Sequence, residues 1–196
     1  MSDQPPLRLF LAISLPEPVR LSLIAATDPL RGTTADVRWA RADALHLTLV
    51  FLGARPSEQV DEIAEAAGAA CTDARPFSLT VAGRGCFPSP ARARVLWAGL
   101  KGETSVLTSF QQTILAALVA ARLAEPGERF APHLTMGRVR ETTSSPARAD
   151  LGRQWLALPA PAPTPVLVRE VHLINSVLGP GGSRYTTLRS LPLGGS

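Results

Sequence analysis

The tripeptide His-Leu-Thr occurs twice, at His46-Leu47-Thr48 and at His133-Leu134-Thr135, near half a chain length apart. Each copy opens a β-type run, HLTLVFL from His46 and HLTMGRV from His133. Successive side chains of a strand point to opposite faces, so residues i and i+2 share one. Each run therefore presents an imidazole and a hydroxyl side by side, with the leucine between them turned the other way. If the two strands face each other, two imidazoles flank one substrate atom. That is an acid–base pair, able to cut a phosphodiester without a metal. The plainer alternative is two half-buried strand histidines with local threonines, and spacing alone leaves it open.

The chain of 196 residues fits one large domain or two small lobes. Apolar residues make up 45% and charged residues 18%, enough apolar material for a core and too little charge for disorder. Lys101 is the only lysine, so the net charge of +4 rests on arginine. Guanidinium binds phosphate through two parallel hydrogen bonds and stacks on bases, so an anionic ligand suits this surface. A compositional bias toward Ala, Arg, Pro and Gly explains it equally well. Cys71 and Cys86 belong to no CxxC or Cys/His cluster, which predicts neither a disulfide framework nor a zinc site and fits a reducing compartment. The opening MSDQPPLRLFLAISLP lacks a basic leader and reads as a first strand rather than a signal peptide. No stretch has the length to span a bilayer. The expectation is a cytoplasmic protein without a membrane partner.

The remaining pattern mixes strands and helices. Strands are expected at 7–15, 37–39, 45–52 (closed by Gly53), 76–87 with a glycine kink, 95–100, 133–139, 166–177 and 185–191. Pro16 and Pro18 suit the first turn of a helix to about Pro29. Ser57 can cap a helix from Glu58 to about Thr72. A long amphipathic helix runs to about Leu123 with Val106, Phe110, Ile114 and Leu118 at helical spacing. A further helix spans 146–156. RGTTAD and EPGERFAPH read as loops, PAPAPTP as a spacer, and GPGG as the turn of a closing hairpin. The fold class is α+β: two similar lobes of antiparallel sheet with outer helices, flanking a central cleft that carries one HxT motif from each lobe. A single bilobal domain over residues 1–196 is expected.

These residues resemble a known family. Paired HxT strands half a chain apart look like the two-histidine (2H) phosphoesterase superfamily, and most of all its RNA 2′,3′-cyclic phosphodiesterase branch, also called 2′-5′ RNA ligase-like. RLFLAISLP resembles that branch's opening strand, ALHLTLVFLG its first motif, RFAPHLTMGRV its second, and SRYTTLRSLPL its closing strand. The resemblance implies hydrolysis of a 2′,3′-cyclic phosphate at an RNA end to a 2′-phosphomonoester. It also implies reversible 2′-5′ joining in some members, and needs no cofactor and no metal. It implies His46 as proton donor to the leaving oxygen and His133 as proton acceptor from water, a division the residues alone do not make. The partners implied are RNA ends or nucleotides with a cyclic phosphate, met by a monomer.

Around that pair, Thr48 and Thr135 can donate to the non-bridging phosphate oxygens, where charge builds up. Arg138 lies five residues after His133, an odd offset that turns it to the opposite face of an ideal strand unless a bulge at Gly137 re-aims it. Arg129 can bind phosphate and Phe130 can stack on a base, with packing beneath the loop as the alternative for Phe130. Phe10 reads as core, Tyr185 as hairpin packing, and His172, lacking the second threonine, as a strand residue outside the pair. Two other classes compete. One is a non-catalytic nucleotide- or RNA-end-binding module on the same fold. The other is a metallohydrolase, against which stands the lack of carboxylate or cysteine neighbours around the two histidines.

Overall fold

The computed structural model describes residues 5–32, 36–127, 129–159, 161–179 and 182–194. In chain order its elements are β1 (Leu7–Ser14), α1 (Glu17–Ala25), α2 (Asp28–Arg31), β2 (Val37–Trp39), β3 (His46–Arg55), α3 (Gln59–Thr72), β4 (Phe77–Phe87), β5 (Val95–Gly102), α4 (Thr104–Ala120), β6 (Leu134–Val139), α5 (Ser145–Ala157), β7 (Thr164–Val168), β8 (Glu170–Gly179) and β9 (Gly182–Pro192). Every described strand pair is antiparallel. The strand order is β7-β4-β5-β6-β3-β1-β8-β9, with the short β2 paired to β6.

That order divides into two four-stranded halves, β7-β4-β5-β6 and β3-β1-β8-β9, each with an HxT strand on its inner edge. The halves join where β3 meets β6, through the pair Leu47 and Leu134. Both leucines are buried, as is Leu49 on the same face. Fully burying a leucine is worth about 1.5–3 kcal/mol, so the leucine inside each motif anchors its strand and leaves histidine and threonine on the opposite face. Helices cover the leucine face: α3 packs on β8, β9 and α4, α4 on β3 and β4, and α5 on β4. In α4, Leu107, Phe110, Ile114 and Leu118 form the buried stripe, the helical period expected of it. One hydrophobic core runs beneath both halves.

Three local expectations need correction. Ser57 does not cap α3: the residue before the helix is Glu58, and the Ser57 hydroxyl donates to the Glu58 carboxylate instead. The first helix stops at Ala25 and resumes as α2, because the buried Thr27 hydroxyl donates to the Ile24 carbonyl and accepts from Arg31. The run at 166–177 is two strands, not one. β7 pairs with β4 in one half, and β8 pairs with β1 in the other. The chain crosses between the halves at Arg169, and both sides are buried enough to read as one apolar run. The closing hairpin of β8 and β9 is present. Pro180 and Gly181 of its turn, Thr33 to Ala35 of the RGTTAD loop, Glu128 of the loop before the second motif and Ala160 of the spacer lie outside the described residues.

Candidate active site

A cavity of about 810 Å³ opens on the face opposite the helices, and His46, Thr48, His133 and Thr135 all line it. The register explains the convergence. With Leu47 opposite Leu134, the next positions set His46 opposite Thr135 and Thr48 opposite His133. The two histidines then occupy a diagonal, a separation of about 7–8 Å in an antiparallel pair and somewhat less between Cβ atoms. Both imidazoles line the same cavity.

Both rings are held in the same way. His46 Nδ1 donates to the Ala44 carbonyl at 2.9 Å, and His133 Nδ1 donates to the Ala131 carbonyl at 2.8 Å. A carbonyl only accepts, so Nδ1 carries the hydrogen in each ring and Nε2 is left to react. The sequence carried a trace of this device, since both motifs read Ala-x-His-Leu-Thr.

The second shared device is a bulge. Along β6, Leu96 pairs with Gly137 but Trp97 pairs with Thr135, so Met136 is the extra residue. Along β3, Leu11 pairs with Val50 but Ala12 pairs with Thr48, so Leu49 is the extra residue. Each bulge sits three residues after its histidine and reverses the alternation beyond it. The fifth residue after each histidine is thereby turned into the cavity, Phe51 in one strand and Arg138 in the other. Arg138 thus reaches the cavity, by a bulge one residue earlier than Gly137. Phe51 is a residue that strand alternation alone does not place there, and at 73% exposed it is an apolar ring with no burial to justify it.

The structure does not bring Arg129 and Phe130 to this cavity. They line a separate depression with Thr104, Thr108 and Gln111 of α4. Phe130 is half-buried against the core, on the helix side of a chain that enters the cleft only at His133. The binding roles expected of both are not met by this placement. His172 lies on β8, does not line the cavity, and is held by Ser14 Oγ at 2.9 Å and by Glu170. Cys71 and Cys86 are buried free thiols, and burial pushes them up to about 12 and about 11, so neither is a ready nucleophile.

Aromatic rings surround the two histidines unequally. His46 stacks on Phe10 at 4.8 Å and meets the edge of Tyr185 at 5.1 Å. His133 meets the edge of Phe87 at 4.9 Å. Phe10 is buried, but in a small cluster of its own with Ala12, Ile174 and Tyr185, apart from the main core. Burial pushes His46 down to about 4, with smaller contributions from the charges of Arg138 and His133, against the opposing Ala44 hydrogen bond. The protein by itself therefore holds His46 neutral at pH 7. Among the described residues no group of three or more His, Cys, Asp or Glu could hold a metal ion.

An antiparallel sheet in an α+β fold, with two matching histidine strands on one cavity, defines a class. The chain belongs to the 2′-5′ RNA ligase superfamily, whose profile matches residues 19–179. It is 32% identical over 187 residues to an RNA 2′,3′-cyclic phosphodiesterase of Archaeoglobus fulgidus, covering 93% of this chain and 98% of the relative. Its fold matches Escherichia coli LigT complexed with 3′-AMP at a TM-score of 0.76 and 27% identity, covering 97% of this chain and 99% of LigT. LigT has also been solved with phosphate, NADP+ and ATP. TT0787 of Thermus thermophilus matches at a TM-score of 0.77 and 27% identity, over 95% of this chain and 97% of the other.

Proposed function

We propose that this protein is an RNA 2′,3′-cyclic phosphodiesterase, a phosphoric diester hydrolase that opens a terminal cyclic phosphate to a 2′-phosphomonoester with two histidines and no metal. One observation carries the reading: two imidazoles on adjoining strand edges, both tied at Nδ1 and free at Nε2, share one cavity with two hydroxyls. The relatives are named for this activity.

The chemistry follows from the in-line geometry of displacement at phosphorus. His133 Nε2 accepts a proton from water as its oxygen bonds to phosphorus. The bond from phosphorus to the 3′-oxygen breaks, and His46 Nε2 supplies that oxygen with a proton. The product keeps the phosphate on the 2′-oxygen. Thr48 and Thr135 donate to the non-bridging oxygens as they gain charge, and Arg138 balances the substrate's charge. His46 must be protonated to act as donor, and burial by itself opposes that. A phosphate beside the ring restores the proton, because a nearby anion favours the charged form. The donor is thus loaded when substrate arrives. With the 5′-hydroxyl of a second RNA strand in place of water, the same pair joins RNA ends through a 2′-5′ linkage: His133 takes the proton of that hydroxyl as its oxygen bonds to phosphorus, and His46 protonates the leaving 3′-oxygen.

The ligand class is RNA ends and nucleotides, in line with the 3′-AMP held by LigT. We place the protein in the cytoplasm as a single bilobal unit over residues 1–196, and as a monomer. The core that runs beneath both halves supports the single unit, and the free buried thiols fit a reducing compartment. No helix among the described residues is long and apolar enough to cross a membrane.

The test is to offer a short RNA ending in a 2′,3′-cyclic phosphate, in excess chelator and without ATP, and to identify the product. The expected product is the 2′-phosphomonoester. A 3′-phosphate would overturn the bond assignment, and loss of turnover in chelator would overturn metal independence. Tight binding without turnover would favour the non-catalytic binding module.

A further inference from the structure

The charge of the cavity is of one sign. Arg8, Arg38, Arg41 and Arg138 line it, and among the described residues no aspartate or glutamate does. Arg41 is already committed to Asp43, whose carboxylate takes both its Nε and an Nη. Arg38 and Arg138 are not. They stand directly opposite each other across the β2–β6 pair, both exposed. Neither guanidinium has a hydrogen-bond or ion-pair partner among the described residues.

Like charges directly opposite in an antiparallel pair repel. β2 is only three residues long, so the repulsion falls on a strand with few other bonds to hold it. An anion between the two guanidiniums turns that repulsion into two charge-assisted contacts, and paired guanidiniums match the oxygens of a phosphate. Arg138 lies three residues beyond Thr135 on β6, about 10 Å along an extended strand. The pair therefore stands beside the point where the histidines and threonines converge, one step along the cleft.

We propose that Arg38 and Arg138 form a second phosphate subsite, which takes the internucleotide phosphate on the 5′ side of the terminal nucleoside. The protein then selects the end of an RNA chain over a mononucleotide. This rests on the reading that the cyclic phosphate lies between His46 and His133. Given that, hydrolysis leaves the neighbouring phosphate one source, the substrate strand itself. A strand ending in a 2′,3′-cyclic phosphate has nothing beyond it, so the adjacent phosphate is the upstream one. Arg38 takes no part in proton transfer in this scheme. It is a specificity residue for chain length.

The test compares three substrates: adenosine 2′,3′-cyclic phosphate, a diadenosine ending in the same cyclic phosphate, and that dinucleotide with a neutral methylphosphonate at its internucleotide link. For the wild-type protein, kcat/KM on the phosphate-linked dinucleotide exceeds that on the other two by about tenfold or more, the scale of a charge-assisted contact. Arg38→Gln reduces the advantage to about twofold, Arg38→Lys keeps part of it, and rising salt erodes it in the wild type. Equal wild-type turnover of the phosphate and methylphosphonate dinucleotides would overturn the proposal. That comparison uses no variant, so it stands even if Arg38→Gln does not fold. An equal fall on all three substrates in Arg38→Gln would also overturn it, since it would mark a structural role. Failure of the wild type to turn over any of the three would instead overturn the phosphodiesterase reading, and this proposal with it.

Discussion

The β3 and β6 strands are two solutions built on one frame. Each fixes its histidine by a carbonyl two residues upstream, buries the leucine between histidine and threonine, and bulges three residues past the histidine. The difference lies in what the frame then presents. At the fifth position β3 offers the ring of Phe51, and β6 offers the guanidinium of Arg138. Around the histidines, Phe10 and Tyr185 enclose His46, while among the described aromatic rings His133 meets the edge of Phe87. The shared backbone frame brings two imidazoles to one cavity. The diverged side chains give those imidazoles different surroundings and give the cleft an aromatic wall and a cationic wall.

The comparison breaks first at the histidines. His46→Ala and His133→Ala are each expected to lower kcat by about a hundred- to ten-thousandfold with the melting curve preserved. Near-full activity in either variant would leave one strand without a catalytic role. Next come the hydroxyls. Thr48→Val and Thr135→Val should each cost about a hundredfold in kcat, measured at saturating substrate. A change confined to KM would assign them to binding alone.

The diverged fifth positions should separate the two walls. Arg138→Gln should raise KM by about tenfold and reduce its salt dependence. Phe51→Ala should raise KM by a similar or smaller factor with little salt dependence, as expected of base stacking. Identical salt responses would merge the walls into one. The smallest effect concerns the unequal histidines. Because His46 titrates at about 4 in the folded protein and near 6.5 when unfolded, the unfolded chain takes up the proton first as pH falls. Stability should therefore be complete above pH 6.5 and decline toward pH 4, by at most about 3 kcal/mol. His46→Gln should flatten that decline in a urea titration. An NMR titration should also find the His46 midpoint raised once phosphate is bound. A midpoint that does not move would pass the donor role to His133.

How much of this the residues disclosed depends on the range of the interaction. The alternation of His-Leu-Thr-Leu placed His46 and Thr48 on one face and Leu47 on the other, because strand geometry is local. The helical spacing of Phe110, Ile114 and Leu118 was legible for the same reason. Arg138 was half legible, since its odd offset demanded a bulge without locating it. Phe51 was not, because the bulge at Leu49 is set by pairing with β1, whose partner residues lie far away in sequence. Phe10 and Tyr185 read as ordinary apolar strand residues. Only the cross-strand order β3-β1-β8-β9 brings both against His46. Arg129 and Phe130 show the converse. They adjoin the second motif in sequence, yet the chain at this point lays them against α4 and away from the cavity.

One pH–rate series decides whether two unequal imidazoles share one phosphorus atom. For hydrolysis of an RNA 2′,3′-cyclic phosphate, kcat in the wild type should trace a bell. The residual rate of His133→Ala should lose the acid limb and that of His46→Ala the alkaline limb. Two variants that retain the same unchanged bell, or a wild type flat from pH 5 to 9, would contradict the pairing.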